Sequence, residues 1–204
     1  MRNLFIICLL LASLACLAIP TGLNIMPTAD VLPPGASRLD YESSGTGKLN
    51  VPAGSSIIGT QNGSLFDVEA GIDNINDVGT VYNLKWRFYY GGEGGMQIAA
   101  GAQNLGEDAQ YYGVLTRAFG RMKISAGAII GVGEDNETLG MVGARFDLRP
   151  LILMVDHVRG DTIERTAGSV GFAFNNLVLT GTIYDFDGDN TETTVRISYS
   201  QSLL

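Results

Sequence analysis

The sequence predicts an all-β chain, an up-and-down antiparallel transmembrane β-barrel of about 12 strands. Three observations carry this. The first is residues 80–90, TVYNLKWRFYY, where Tyr82, Leu84, Trp86, Phe88 and Tyr90 alternate with Val81, Asn83, Lys85, Arg87 and Tyr89. Period two held over such a run is a strand with one greasy and one wet face, about 25 Å long when tilted. The second is that this design recurs to the end of the chain. The third is that tight turns alternate with longer polar connections, as in outer-membrane barrels.

The start reads as an export signal over residues 1–18: Arg2 is the positive n-region, 4–14 is a short apolar run, and small residues follow. Cleavage after Ala18 is the preferred reading, and lipidation of Cys16 is its rival. Both cysteines, Cys8 and Cys16, lie in this segment, so a chain cut after Ala18 carries no disulfide framework and no thiolate site. Residues 19–36 hold most of the prolines and have no period, so they read as an extended lead-in ending at Pro33–Pro34–Gly35. The remainder, 37–204, reads as one barrel domain. Glycine is frequent (27 residues) without a collagen period, which implies many turns and closely packed strands. A net charge of −8 speaks against a nucleic-acid partner.

Taken in order, Leu39 and Tyr41 oppose Arg38, Asp40 and Glu42, and a weak glycine-interrupted strand follows at 55–61. Asn62–Gly63 is a hairpin signal. Phe66, Val68, Ala70 and Ile72 oppose Asp67, Glu69 and Gly71. Residues 80–90 form the partner strand, so Asp67 and Glu69 share a face with Lys85 and Arg87, and cross-strand ion pairs are expected. Met96, Ile98, Ala100 and Ala102 oppose Gln97, Gly101 and Gln103; Tyr112, Val114 and Ala118 are set against Gly113 and Arg117. Ile124, Ala126, Ala128 and Ile130 oppose Lys123, Ser125, Gly127 and Gly131. Val142, Ala144, Phe146 and Leu148 oppose Arg145 and Asp147, and Leu151, Leu153 and Val155 oppose Asp156. Val170, Phe172 and Phe174 oppose Arg165 and Ser169; Leu177, Leu179 and Ile183 oppose Thr180, Thr182 and Tyr184; Val195, Ile197 and Tyr199 oppose Arg196.

The wet face carries Asp40, Glu42, Asp67, Glu69, Lys85, Arg87, Arg117, Lys123, Arg145, Arg165 and Arg196, both signs interspersed with glycine. Such residues suit a confined lumen, with the apolar face turned to lipid; a soluble lipocalin-like ligand-binding barrel is the alternative facing. The lead-in (22–35, GLNIMPTADVLPPG), RLDYE (38–42), TVYNLKWRF (80–88), YYGVLTRAFG (111–120) and RPLILMVDH (149–157) resemble the outer-membrane β-barrel family associated with exopolysaccharide production. The resemblance implies a barrel linked to surface polysaccharide, and it offers no catalytic motif.

The expected function is therefore a non-enzymatic outer-membrane barrel, structural or partner-binding, with a narrow porin-like channel for small polar solutes as the alternative. Its partners would be the lipid bilayer, the barrel-assembly machinery and a polysaccharide or its export components. No cofactor is expected beyond a weak calcium candidate at Asp185, Asp187, Asp189 and Glu192, which otherwise reads as a solvated acidic hairpin. His157, the single histidine, reads as an interfacial residue on the lipid face, and GGEGG (91–95) as a turn rather than a phosphate loop, since no helix follows.

Overall fold

The computed structural model describes residues 22–23, 25–32, 36–44, 49–50, 53–58, 67–73, 81–92, 94–106, 108–133, 135–185 and 191–202. The export signal, both cysteines, the Asn62–Gly63 turn, Asp187 and Asp189 lie outside them.

Thirteen strands among these residues form a single sheet. They are β1 (Ala36–Ser44), β2 (Leu49–Asn50), β3 (Ala53–Ile58), β4 (Asp67–Asp73), β5 (Val81–Tyr90), β6 (Met96–Leu105) and β7 (Gln110–Phe119). β8 (Met122–Val132), β9 (Glu137–Leu148), β10 (Leu151–Arg159), β11 (Glu164–Phe174), β12 (Leu177–Tyr184) and β13 (Glu192–Ser202) complete it. Neighbours in the wall are antiparallel and follow chain order. β13 pairs back onto β1 from Ala36↔Ser202 to Ser44↔Thr194, which closes the barrel and removes its edges. β2 and β3 both pair with β1, so these two pieces share one place in the wall.

One end carries tight turns. At Gly91–Gly95 the Gly95 amide donates to Gly92 O at 3.0 Å, and Gly92 and Gly94 stand at φ +83° and +76°. Left-handed backbone of that kind strains any residue with a Cβ, so the glycine run is a turn. The opposite end carries the longer connections before β7, β9, β11 and β13.

The two faces divide as a lipid solvent demands. Tyr82, Leu84 and Trp86, then Ile130, Val142, Val155, Val170, Phe172, Leu179 and Val195, point outward and are exposed. The largest fully buried side chains are Lys85, Met26, Glu69, Thr116, Asp40, Asp156 and Ser125. A water-soluble barrel would have the opposite arrangement. The outward belt makes this a membrane-spanning barrel, and it rules out a lipocalin-like cavity lined by those apolar residues.

One strand departs from the sequence expectation. On β7, Tyr112, Val114 and Thr116 point inward, while Tyr111, Leu115 and Phe119 point out. Arg117 therefore lies on the outer face, its guanidinium 5.0 Å from the centre of the Phe119 ring. It is not a lumen charge. The run YYGVL carries apolar residues at both parities, so alternation could not choose between them.

Candidate functional site

The register builds the lumen's charged girdle. β4 and β5 pair with Asp67 opposite Arg87 and Glu69 opposite Lys85. Arg87 Nε donates to Asp67 Oδ2 at 3.0 Å, its Nη2 donates to the same oxygen, and its Nη1 donates to Gln97 Oε1 at 3.0 Å. Lys85 Nζ stands 3.8 Å from Glu69 Oε1, both side chains being fully buried. On β1, Arg38 Nε donates to Asp40 Oδ2 at 2.9 Å.

These charges do not fill the lumen by themselves. The lead-in enters it. Here the chain turns back on itself, with the Leu23 amide donating to Met26 O at 2.9 Å and Gly22 bridged to Pro27. A Cβ on Gly22 would meet Met26 O at 2.7 Å, so the turn needs glycine there. Leu23, Met26 and Ala29 are buried with Ala99, Tyr112, Val114, Ile129, Leu139, Met141 and Val158, an apolar core placed inside the barrel toward its loop end. Gly143 leaves room for this: a Cβ there would meet Leu23 Cδ1 and come within 3.0 Å of Met26 Sδ.

An irregular segment inside a barrel has no ladder to pair with, yet its backbone must find partners. The wall supplies them from side chains. Asp156 Oδ2 accepts from the amides of Ile25 (2.7 Å) and Met26 (3.0 Å). Thr116 Oγ1 accepts from Ala29 N at 2.9 Å and lies 2.8 Å from Ser125 Oγ. Glu69 Oε2 accepts from Leu32 N at 3.0 Å, and Lys85 Nζ donates to Asp30 O at 2.9 Å. The buried Glu69–Lys85 pair thus acts as a backbone clamp. Lys123 Nζ holds both oxygens of the Asp30 carboxylate, at 2.8 and 2.9 Å. Sequence reasoning passed over Asp156, Thr116 and Asp30. The available signal was the isolated acid Asp156 on a wet face, and the inward apolar residues Ile129, Leu139, Met141 and Val158, which need something dry to pack against.

The other wall has a different character. Ser169, Thr180, Thr182 and Thr194, on β11 to β13, are buried and face inward; Ser169 Oγ, Thr194 Oγ1 and Asp40 Oδ1 find no hydrogen-bond partner among the described residues. At the tight-turn end an open cavity of about 350 Å³ is lined by Arg121, Lys123, Arg145 and Arg149 together with Asp30 and Asp147. Lys123 and Arg145 face each other across β8 and β9.

The remaining candidates sit at the ends. Arg165 pairs with Asp185 (3.0 Å) and Glu192 (3.4 Å) at the loop end, so both described members of the acidic hairpin engage an arginine. Among the described residues no three His, Asp or Glu come together as metal ligands. Arg196 lies on β13 across from Glu42 in the register. His157 Nδ1 lies 2.9 Å from Thr166 Oγ1, and its Nε2 lies 3.6 Å from Glu164 Oε1. Beyond the apolar belt, Glu137 accepts from both the amide and hydroxyl of Thr162 at 2.7 Å, and these bonds hold its carboxyl below the usual range.

No family model and no curated protein matches the sequence. Among solved structures the chain is similar to a KdgM porin, with TM-score 0.59 and 9% identity over 80% of this chain and 98% of that one. It is also similar to a KdgM porin in complex with disordered oligogalacturonate, with TM-score 0.57 and 9% identity over 82% and 98%. The likeness is one of fold. The chain has the fold of an outer-membrane β-barrel.

Proposed function

We propose that this chain is a non-enzymatic, porin-like channel for small acidic saccharides, held shut by its own lead-in. The observation that carries the reading is the lead-in itself, which lies in the lumen without belonging to the wall. It is fixed by side-chain bonds from Asp156, Thr116, Glu69, Lys85 and Lys123 rather than by strand pairing. A barrel that only needed bracing would have no use for a separable insert.

Two features favour polar, anionic cargo. The hydroxyl wall of Ser169, Thr180, Thr182 and Thr194 offers partners to a sugar, and four cations against two carboxylates surround the tight-turn mouth. The fold neighbour bound to oligogalacturonate supports the same class. A saccharide cargo also accommodates a link to surface polysaccharide, as the sequence resemblance suggests.

The test is uptake into proteoliposomes by protein lacking residues 22–32. Galacturonate is expected to enter faster than the neutral sugar galactose. Equal entry would remove the anion preference, and no entry of either by a properly folded barrel would return the chain to a purely structural role.

A further inference from the structure

We infer that Asp30 is an internal stand-in for the carboxylate of an incoming ligand, and that anion binding at Lys123 is what releases the lead-in. The inference rests on the channel reading above and adds the site and the trigger.

Two kinds of ion pair hold the lead-in, and their burial separates them. Glu69 and Lys85 are fully buried and grip backbone groups, so they cannot be reached while the barrel is closed. The Lys123–Asp30 pair is different. Its side chains are 40% and 22% exposed, and it opens onto the mouth cavity. Pairs this wet are worth little, because water and salt compete for both partners. A carboxylate arriving from solution is a competitor of the same chemistry.

The surroundings favour the competitor over Asp30. Arg145 reaches Asp147 only at 3.8 Å, and Arg149 reaches it at 3.5 Å while remaining 82% exposed. Arg121 has no ion-pair partner among the described residues. A single Asp30 carboxylate engages Lys123 and, at 3.4 Å, Gln97, but it does not span the cavity to the arginines. A saccharide carrying several carboxylates meets Lys123 and the arginines together, with bidentate geometry open to each guanidinium. Once Asp30 is displaced, Ala29 and Met26 lose the anchor nearest the mouth.

The test follows Met26 by ¹³C-methyl methionine NMR on the full chain refolded in detergent, with Met26→Leu to assign the signal among six methionines. Oligogalacturonate is the probe and its fully methyl-esterified form the uncharged control. The acid form should shift or broaden the Met26 resonance and the ester should not. Asp30→Asn should raise the released population up to about fivefold without ligand, equivalent to about 1 kcal/mol. Lys123→Gln should abolish the response to oligogalacturonate. Heat-modifiable gel migration checks that each variant is folded. A Met26 signal unmoved by saturating oligogalacturonate would overturn the inference, as would an equal response to the ester. Either result leaves the channel reading standing if lead-in deletion still opens a conducting pore; failure of that deletion to conduct sinks the channel reading separately.

Discussion

Asp156→Asn should loosen the lead-in turn without unfolding the wall. The Asp156 carboxylate accepts two amides from the lead-in, at 2.7 and 3.0 Å, and is itself 1% exposed. Hydrogen bonds to a charged acceptor contribute roughly 1.5–3 kcal/mol each, and neutral ones about 0.5–1.5. Replacing the carboxylate by an amide of the same size keeps the acceptor oxygen but removes its charge. The expected loss is roughly 1–3 kcal/mol over the two bonds, or about 5- to 150-fold in local opening. Hydrogen exchange at the Ile25 and Met26 amides measures this directly. Their rates should rise by that factor while the ladder amides of β9 and β10 stay as in wild type. Unchanged exchange at Ile25 and Met26 would mean that the carboxylate does not hold the turn. A rise throughout the barrel would mean that Asp156 supports the wall instead, and the anchoring argument would fail.

Other consequences follow from the two faces and the clamp. Leu84→Arg puts a cation on the exposed belt and should cost roughly 2–4 kcal/mol in a denaturant titration of the lipid-refolded protein; a cost under about 1 would place Leu84 outside the hydrocarbon. Lys85→Met leaves Glu69 buried without its cation and should cost about 3–5 kcal/mol by the same titration, and adding Glu69→Leu should recover part of it. No recovery in the double variant would mean that the pair does not act as a unit. Arg117→Gln should stay within about 0.5 kcal/mol of wild type, whereas Arg87→Gln, which strips Asp67 and Gln97 of their donor, should be clearly destabilising. Equal effects would restore Arg117 to the lumen.

The barrel was legible because each strand separates two solvents. Lipid on one side and a confined polar lumen on the other write a period of two into Tyr82–Lys85 and Val142–Arg145. The same pattern puts Asp67 and Glu69 on one face with Lys85 and Arg87, while the register that sets Asp67 against Arg87 and Glu69 against Lys85 comes from the structure. The lead-in was not legible. Its backbone amides are satisfied by side chains far away in sequence, such as Asp156 for Ile25, and that leaves no period in residues 22–32. The inward apolar residues Ile129, Leu139 and Met141 carried the hint, but alternation treats them as exceptions on a wet face rather than as a socket. On β7 the adjacent Tyr111 and Tyr112 suit either face, and only the packing of Tyr112 over Gly101 settles which one turns in.

The central claim is that the lead-in is a plug. Single-channel recording in a planar bilayer compares the full chain with a variant lacking residues 22–32, each checked for folding by heat-modifiable migration. The account predicts a full chain that is mostly closed and a deletion that conducts in steady, discrete steps. Equal conductance in the two proteins, or silence from a folded deletion variant, would contradict it.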